Sequence, residues 1–219
     1  MYKIADLFDL SHSRAGEYLS KFTYPHEALS GIKPLIQALG EQLPKDEFEH
    51  PSDNVWIARD AVIAPTACIG EYVIIDHEAE IRHGAYIRGS ALIGKNVVVG
   101  NSTELKNVIL FDNVQVPHYN YVGDSILGYH AHMGAGAVTS NVKGDRTLVV
   151  VRDGSETLET RLKKMGAMLG DWAEIGCNSV LNPGTIIGRH AQVYPLTSVR
   201  GTVPENCIHK GHEIVEKRP

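Results

Sequence analysis

The sequence predicts an all-β solenoid, a parallel β-helix preceded by a small helical segment. Two observations carry that expectation. Aliphatic or aromatic residues fall on every sixth position at Ile57, Ile63, Ile69, Ile75, Ile81, Ile87, Ile93, Val99, Leu105 and Phe111. Small or β-branched residues stand two positions before the later beats, at Ala61, Ala67, Val73, Ala79, Ala85, Ala91, Val97 and Thr103. A helix needs apolar residues three and four apart, which this spacing does not supply. Two inward side chains separated by one outward side chain make a short strand, and the other residues of each six make a turn. Six residues per side and three sides per lap give about 18 residues per lap, the hexapeptide repeat of a β-helix. The stacked aliphatic side chains are its main cohesion, at roughly 1.5–3 kcal/mol each before conformational entropy is charged.

Elements follow in chain order. Residues 1–54 lack the beat. Pro25 with Glu27 suits a helix start, and "IKPLIQALGEQLP" reads as a helix begun near Pro34 and stopped after Gly40. Such a segment is expected to form a small helical cap or arm, the cap being favoured because an uncapped solenoid exposes unpaired strand edges. Residues 55–208 form the coil. The beat is lost across "NVQVPHYNYVG", residues 113–123. It returns in shifted phase at Leu127 and Met133, and again at Leu169, Ile175, Leu181, Ile187, Val193 and Val199. Residues 144–168 fit no lap. They read as an excursion, a hairpin turning at Asp153-Gly154 followed by a short basic segment. Residues 209–219 are a C-terminal tail.

Composition narrows the function classes. Apolar residues make up 43% and charged residues 21%, and the formal charge is −5. That balance argues against nucleic acid or an acidic membrane as partner, while leaving room for a local anion site. The sequence opens on no signal peptide, and no apolar run approaches membrane-spanning length. Cys68, Cys177 and Cys207 are odd in number and widely spaced. They read as free thiols of a cytoplasmic protein.

The stretch "VPHYNYVGDSILGYHAHMGAGAVTSNV", residues 116–142, adds more. It resembles the acetyltransferase half of the bifunctional sugar-1-phosphate nucleotidyltransferases that make UDP-N-acetylglucosamine. The first 50 residues resemble short stand-alone relatives described as UDP-N-acetylglucosamine pyrophosphorylase-related. The glycine-rich nucleotide loop of a pyrophosphorylase is absent from these residues. The resemblance implies a left-handed coil, a homotrimer, and N-acetyl transfer from acetyl-CoA to an amino-sugar phosphate or nucleotide sugar, with no metal required for the transfer step.

Site residues follow from the same resemblance. His118 matches the general base; an amine attacking a thioester must lose a proton, and imidazole suits that task. Glu104 matches the acid that orients the base. Arg88 and Lys106, 18 residues apart, match the sugar-phosphate ligands and are expected to stack on one face, about 4.8 Å apart. Tyr121 and Asn141 match residues that hold the amino sugar. The Ala135 N–H matches the group that meets the acetyl carbonyl. Cys177 and Pro195, one lap apart, fall where the family lines its coenzyme A groove. Two departures bear on the acceptor. His132 stands where the family has asparagine, and the family's lysines beyond Asn141 are replaced by Lys143 and Arg146 at other spacings.

Two other readings compete. A non-catalytic β-helix that binds or scaffolds a sugar nucleotide would account for His132 and the displaced lysines. A metal-dependent hydratase on the same fold would need three histidines with a close pair five apart; His77 and His83 are six apart, and His130 and His132 two apart.

Overall fold

The computed structural model describes residues 1–217; the last two residues of the tail lie outside them. The chain coils as a parallel β-helix of about nine turns. Each lap crosses three flat faces. The first face is built from triplets such as Val73–Ile75, Ala91–Ile93 and Val108–Leu110, in register with one another. The second face is a nine-stranded sheet through Val62–Ile63, Val98–Asn101, Gln115–His118 and His132–Met133. The third face carries Cys68-Ile69, Tyr86-Ile87, Glu104-Leu105 and Tyr121-Val122. Third and first faces merge into one 12-stranded sheet, because strands such as Tyr86–Ile93 run through the corner between them. We call the corners first (first to second face), second (second to third) and third (third to first). The inward beat residues Ile75, Ile81, Ile87, Ile93, Val99 and Leu105 are fully buried.

The beat fails earlier than the sequence suggests. Leu110, not Phe111, stands in register with Ile93 and Leu127. The side from Leu105 to Leu110 is therefore one residue short. Val116 and Val122 then keep time, in register with Val99 and Leu105, and the side from Val122 to Leu127 is again one short. The cause is a register shift at the third corner, where Arg88 and Gly89 oppose Lys106 alone. Phe111 turns instead toward the N-terminal segment and packs on Phe8, ring centroids 5.2 Å apart.

That segment is a strap along the prism rather than an end cap. The Glu205 N–H donates to Tyr2 Oη, the Asp171 N–H to Leu7 O, and the Asp112 N–H to His12 O, at 2.9–3.0 Å. Arg14 then pairs with buried Asp76, and the Asn107 amide donates to Leu29 O. Gly40 lies so close to the Trp56 ring that a Cβ would come within 2.3 Å of it. Residues 2 to 40 thus run from the last laps back to the first. The strap includes a 3₁₀ segment at Pro25–Gly31, where the Glu27 carboxylate accepts the Tyr24 N–H, and a helix at Ile32–Gly40. Its buried face (Ile4, Leu7, Leu19, Leu29, Ile32 and Ile36) covers the first face of the prism. There the outward residues Ile74, Leu92, Ile109, Ile126, Met168 and Ile186 are as buried as the inward ones. Burial beneath the strap pushes the Asp112 and Asp171 carboxyls above their ordinary range.

Capping falls to antiparallel strands. Phe48–Ser52 pairs with Val55–Ala58 at one end, and Ile214–Glu216 pairs with Cys207–His209 at the other. The excursion contains a hairpin, Val150–Asp153 with Glu156–Glu159, in which Asp153 faces Glu156. It ends at Gly166, before position 168, because Ala167–Leu169 already lies in the first face.

Candidate functional site

The second corner gathers His118 and the residues matched to the coenzyme A groove on successive laps. His118 is in register with Asn101. The Gly136 N–H donates to His118 O at 3.0 Å, the Asn178 N–H to Ala135 O at 2.8 Å, and the Leu196 N–H to Cys177 O at 2.9 Å. His118, Ala135, Cys177 and Pro195 therefore form one column, each a strand spacing of about 4.8 Å above the last. The His118, Cys177 and Pro195 side chains are exposed. The His118 ring has no hydrogen-bond partner among the described residues, and neither does the Ala135 N–H.

One residue that the sequence reading missed fixes this corner. Asn120 is buried between His118 and Tyr121. Its Oδ1 accepts the His118 N–H at 3.1 Å, and its Nδ2 donates to Gly134 O at 2.9 Å and Ala137 O at 3.0 Å. The side chain thus bolts the His118 corner to the lap that carries Ala135.

The residues expected to hold the acceptor lie on the third face and third corner. Glu104 and Tyr121 are direct neighbours in register. Glu104 does not bond the His118 ring; it accepts Arg88 Nη1 at 2.9 Å. That contact pushes the Arg88 guanidinium up. Arg88 and Lys106 both point outward at this corner, but the register shift sets Gly89, not Arg88, opposite Lys106. The expected one-lap stacking of Arg88 on Lys106 is therefore offset by one residue, and each cation faces a carboxylate. Lys106 Nζ instead reaches the Asp124 carboxylate at 2.9 and 3.1 Å.

Asp124 is the second missed residue and the hub of the third corner. Its side chain is 6% exposed. It accepts Lys106, Asn107 Nδ2 at 2.9 Å and Asn141 Nδ2 at 2.6 Å. Asn141 Nδ2 also lies 3.2 Å from Tyr121 Oη, tying the face to the corner. Burial, with Asp124 and Glu104 nearby, pushes the Tyr121 phenol up. Spacing does not reveal it: the shortened lap sets Gly123 in register with Lys106, and Asp124 follows one position on. Replacing Asp124 by alanine leaves the Lys106 ammonium without its carboxylate and takes one acceptor from each of two amides. We expect a loss of about 3 kcal/mol of stability, read as a lowered urea midpoint with unchanged slope; an unchanged midpoint would remove Asp124 from this role.

His132 lies apart from both groups. It projects from the second face, in register with Gln115 and Glu174, and its Nδ1 is 2.8 Å from Glu174 Oε2. Within one chain it touches none of the expected acceptor residues. Lys143 sits in the loop after Asn141, 3.5 Å from Asp145, and Arg146 is exposed beyond it.

Parts of this chain are similar to known proteins. A family model described as the GMPPB C-terminal domain matches residues 69–154. Bifunctional protein GlmU of Methanococcus maripaludis is 33% identical over 115 residues, 52% of this chain and 28% of that protein. The matched residues of this chain are similar to the acetyltransferase half of GlmU-type proteins. The bifunctional sugar-1-phosphate nucleotidylyltransferase/acetyltransferase of Sulfurisphaera tokodaii is 32% identical over 94 residues, 43% of this chain and 23% of that protein. The chain thus spans about a quarter of the length of these GlmU-type relatives. Among solved structures, PerB from Caulobacter crescentus, in complex with CoA and GDP-perosamine, is 19% identical. The match covers 84% of this chain and 67% of that one, with a TM-score of 0.36. Francisella novicida UDP-N-acetylglucosamine acyltransferase is 16% identical, with 75% and 66% coverage and a TM-score of 0.47.

Proposed function

We propose that the protein is an acetyl-CoA-dependent N-acetyltransferase acting on an amino-sugar phosphate or nucleotide sugar. The observation that carries this reading is the second-corner column, an exposed imidazole at His118 one lap below the unpaired N–H of Ala135. The acceptor amine attacks the thioester carbonyl, and His118 takes the proton that the amine gives up. The developing oxyanion is met by the Ala135 N–H, a fixed donor that needs no reorganisation. The carbon–sulfur bond then breaks, the amide forms, and the proton held by His118 returns to the departing thiolate. Cys177 and Pro195 mark the wall along which the pantetheine arm lies.

Tyr121, Asn141, Lys106 and Arg88 form the acceptor side, one face away from His118. The two sides join if the third corner of one copy meets the second corner of the next, so the working unit in this reading is a homotrimer with shared clefts. His132, on the second face, then contributes to a cleft from the side that carries His118. Among the described residues no helix is long and apolar enough to cross a membrane. The three free thiols support a cytoplasmic setting.

The test is direct. Amino-sugar phosphates and nucleotide-linked amino sugars are incubated with acetyl-CoA, and thiol release is followed. Turnover with at least one amine acceptor is expected; coenzyme A binding without transfer to any of them would leave a binding protein instead.

A further inference from the structure

A cavity of about 390 Å³ opens at the third corner, beyond Asn141, where the hairpin of the excursion lies against the later laps. It is lined by Lys143, Arg152, Asn182 and Arg200, with Asp145 as its one carboxylate. Neither Arg152 nor Arg200 has an ion-pair or hydrogen-bond partner for its guanidinium among the described residues. Three cations against one acid is a local excess in a chain whose formal charge is −5. Unpaired guanidinia in a concave site are suited to phosphate oxygens, which they bind with two parallel N–H donors.

The cavity wall is built rather than loose. The two glycines of the third corner that face the hairpin, Gly184 and Gly201, have φ of +83° and +78°. A Cβ on Gly184 would fall 2.5 Å from Val150 O, and one on Gly201 would fall 3.0 Å from Arg152 O. Both positions therefore need glycine to let the hairpin backbone approach. Thr202 Oγ1 donates to Arg152 O at 2.9 Å, and Val149 and Val151 are buried beneath the hairpin. Strand alternation then turns Arg152 outward toward the cavity. Opposite it, Asn182 and Arg200 stand on adjacent rungs, since the Asn182 N–H donates to Val199 O.

We propose that this cavity binds a diphosphate group, held by Arg152 and Arg200 with Lys143 at its edge. It adjoins the Asp124–Asn141 corner without sharing its residues. The site itself goes beyond the acetyltransferase reading; only the source of the diphosphate, a nucleotide-linked acceptor or coenzyme A, rests on that reading.

Calorimetry with inorganic pyrophosphate tests the site, comparing the native chain with the double variant Arg152→Gln, Arg200→Gln. Both side chains are exposed, so the melting temperature is expected to hold and serves as the folding control. The native protein is expected to bind pyrophosphate more tightly than orthophosphate, and the double variant to lose roughly tenfold or more in affinity. Native protein that binds no pyrophosphate, or a folded variant that binds it as the native does, overturns the proposal. Parallel titrations with UDP and with coenzyme A assign the source, by which of the two weakens in the variant. Pyrophosphate binding that depends on these arginines in a protein that transfers no acetyl group would support the site and sink only the acetyltransferase reading.

Discussion

Replacing His118 with alanine is expected to lower acetyl transfer by about two to four orders of magnitude, with coenzyme A affinity unchanged. The corner would survive the substitution, because Asn120 holds position 118 through its backbone N–H and the Gly136 N–H bonds its carbonyl. The loss would then belong to the missing proton acceptor and not to a displaced Ala135. Only the rate constant of the chemical step should fall, since the imidazole acts as the proton leaves the amine. A variant that keeps a tenth or more of native turnover would place the base elsewhere. In that case Glu104 is a poor second choice, because its carboxylate is already engaged with Arg88 at 2.9 Å.

Removing residues 1–46 is expected to leave no soluble protein. The deletion uncovers Ile74, Leu92, Ile109, Ile126, Met168 and Ile186, each at most 2% exposed in the intact chain. At roughly 1.5–3 kcal/mol per buried side chain, six of them rival the net stability of a whole domain, about 5–15 kcal/mol. Their arrangement worsens the outcome: stacked one per lap, they form a continuous apolar stripe on a sheet face, which favours association. Ile109→Asp makes the same point with one residue. It sets an unpaired carboxylate under the strap, and a loss of about 4 kcal/mol or more is expected. A truncated chain that stays soluble and melts at the native temperature would show that the strap is an ornament.

The coil was legible because its signal is repeated at every side. The strap was not, although its imprint is in the sequence. The triplets Val73-Ile74-Ile75, Ala91-Leu92-Ile93 and Val108-Ile109-Leu110 are apolar throughout. A face open to water alternates, whereas a face buried on both sides runs continuously apolar. Counting only every sixth residue hides that middle position. The same run disguised the shortened side: with Ile109, Leu110 and Phe111 consecutive, a count of six meets an apolar residue whether or not one has been lost. The error then carried through. It moved the apparent break to His118 and left Arg88 and Lys106 seemingly in register, when the extra residue at Arg88-Gly89 separates them.

The second-corner column was readable by family resemblance and by spacing together. Asp124 was not readable by spacing, since the shortened lap sets Gly123, not Asp124, in register with Lys106. Asn120 could not be read, since its role depends on burial and on carbonyls of the next lap. Arg152 and Arg200 are 48 positions apart and meet only because the hairpin folds back on the prism, a contact that no periodicity records.

In the proposed reaction the second corner is the coenzyme A wall, and its own thiol can test that. Cys177 stands in that column and is exposed, Cys68 is exposed on the third face several laps away, and Cys207 is buried. The two exposed thiols of one molecule can thus be compared by alkylation with iodoacetamide, with and without saturating coenzyme A. Coenzyme A is expected to slow labelling of Cys177 severalfold and to leave Cys68 unchanged. Equal labelling of Cys177 in both conditions, with coenzyme A shown to be bound, would contradict it.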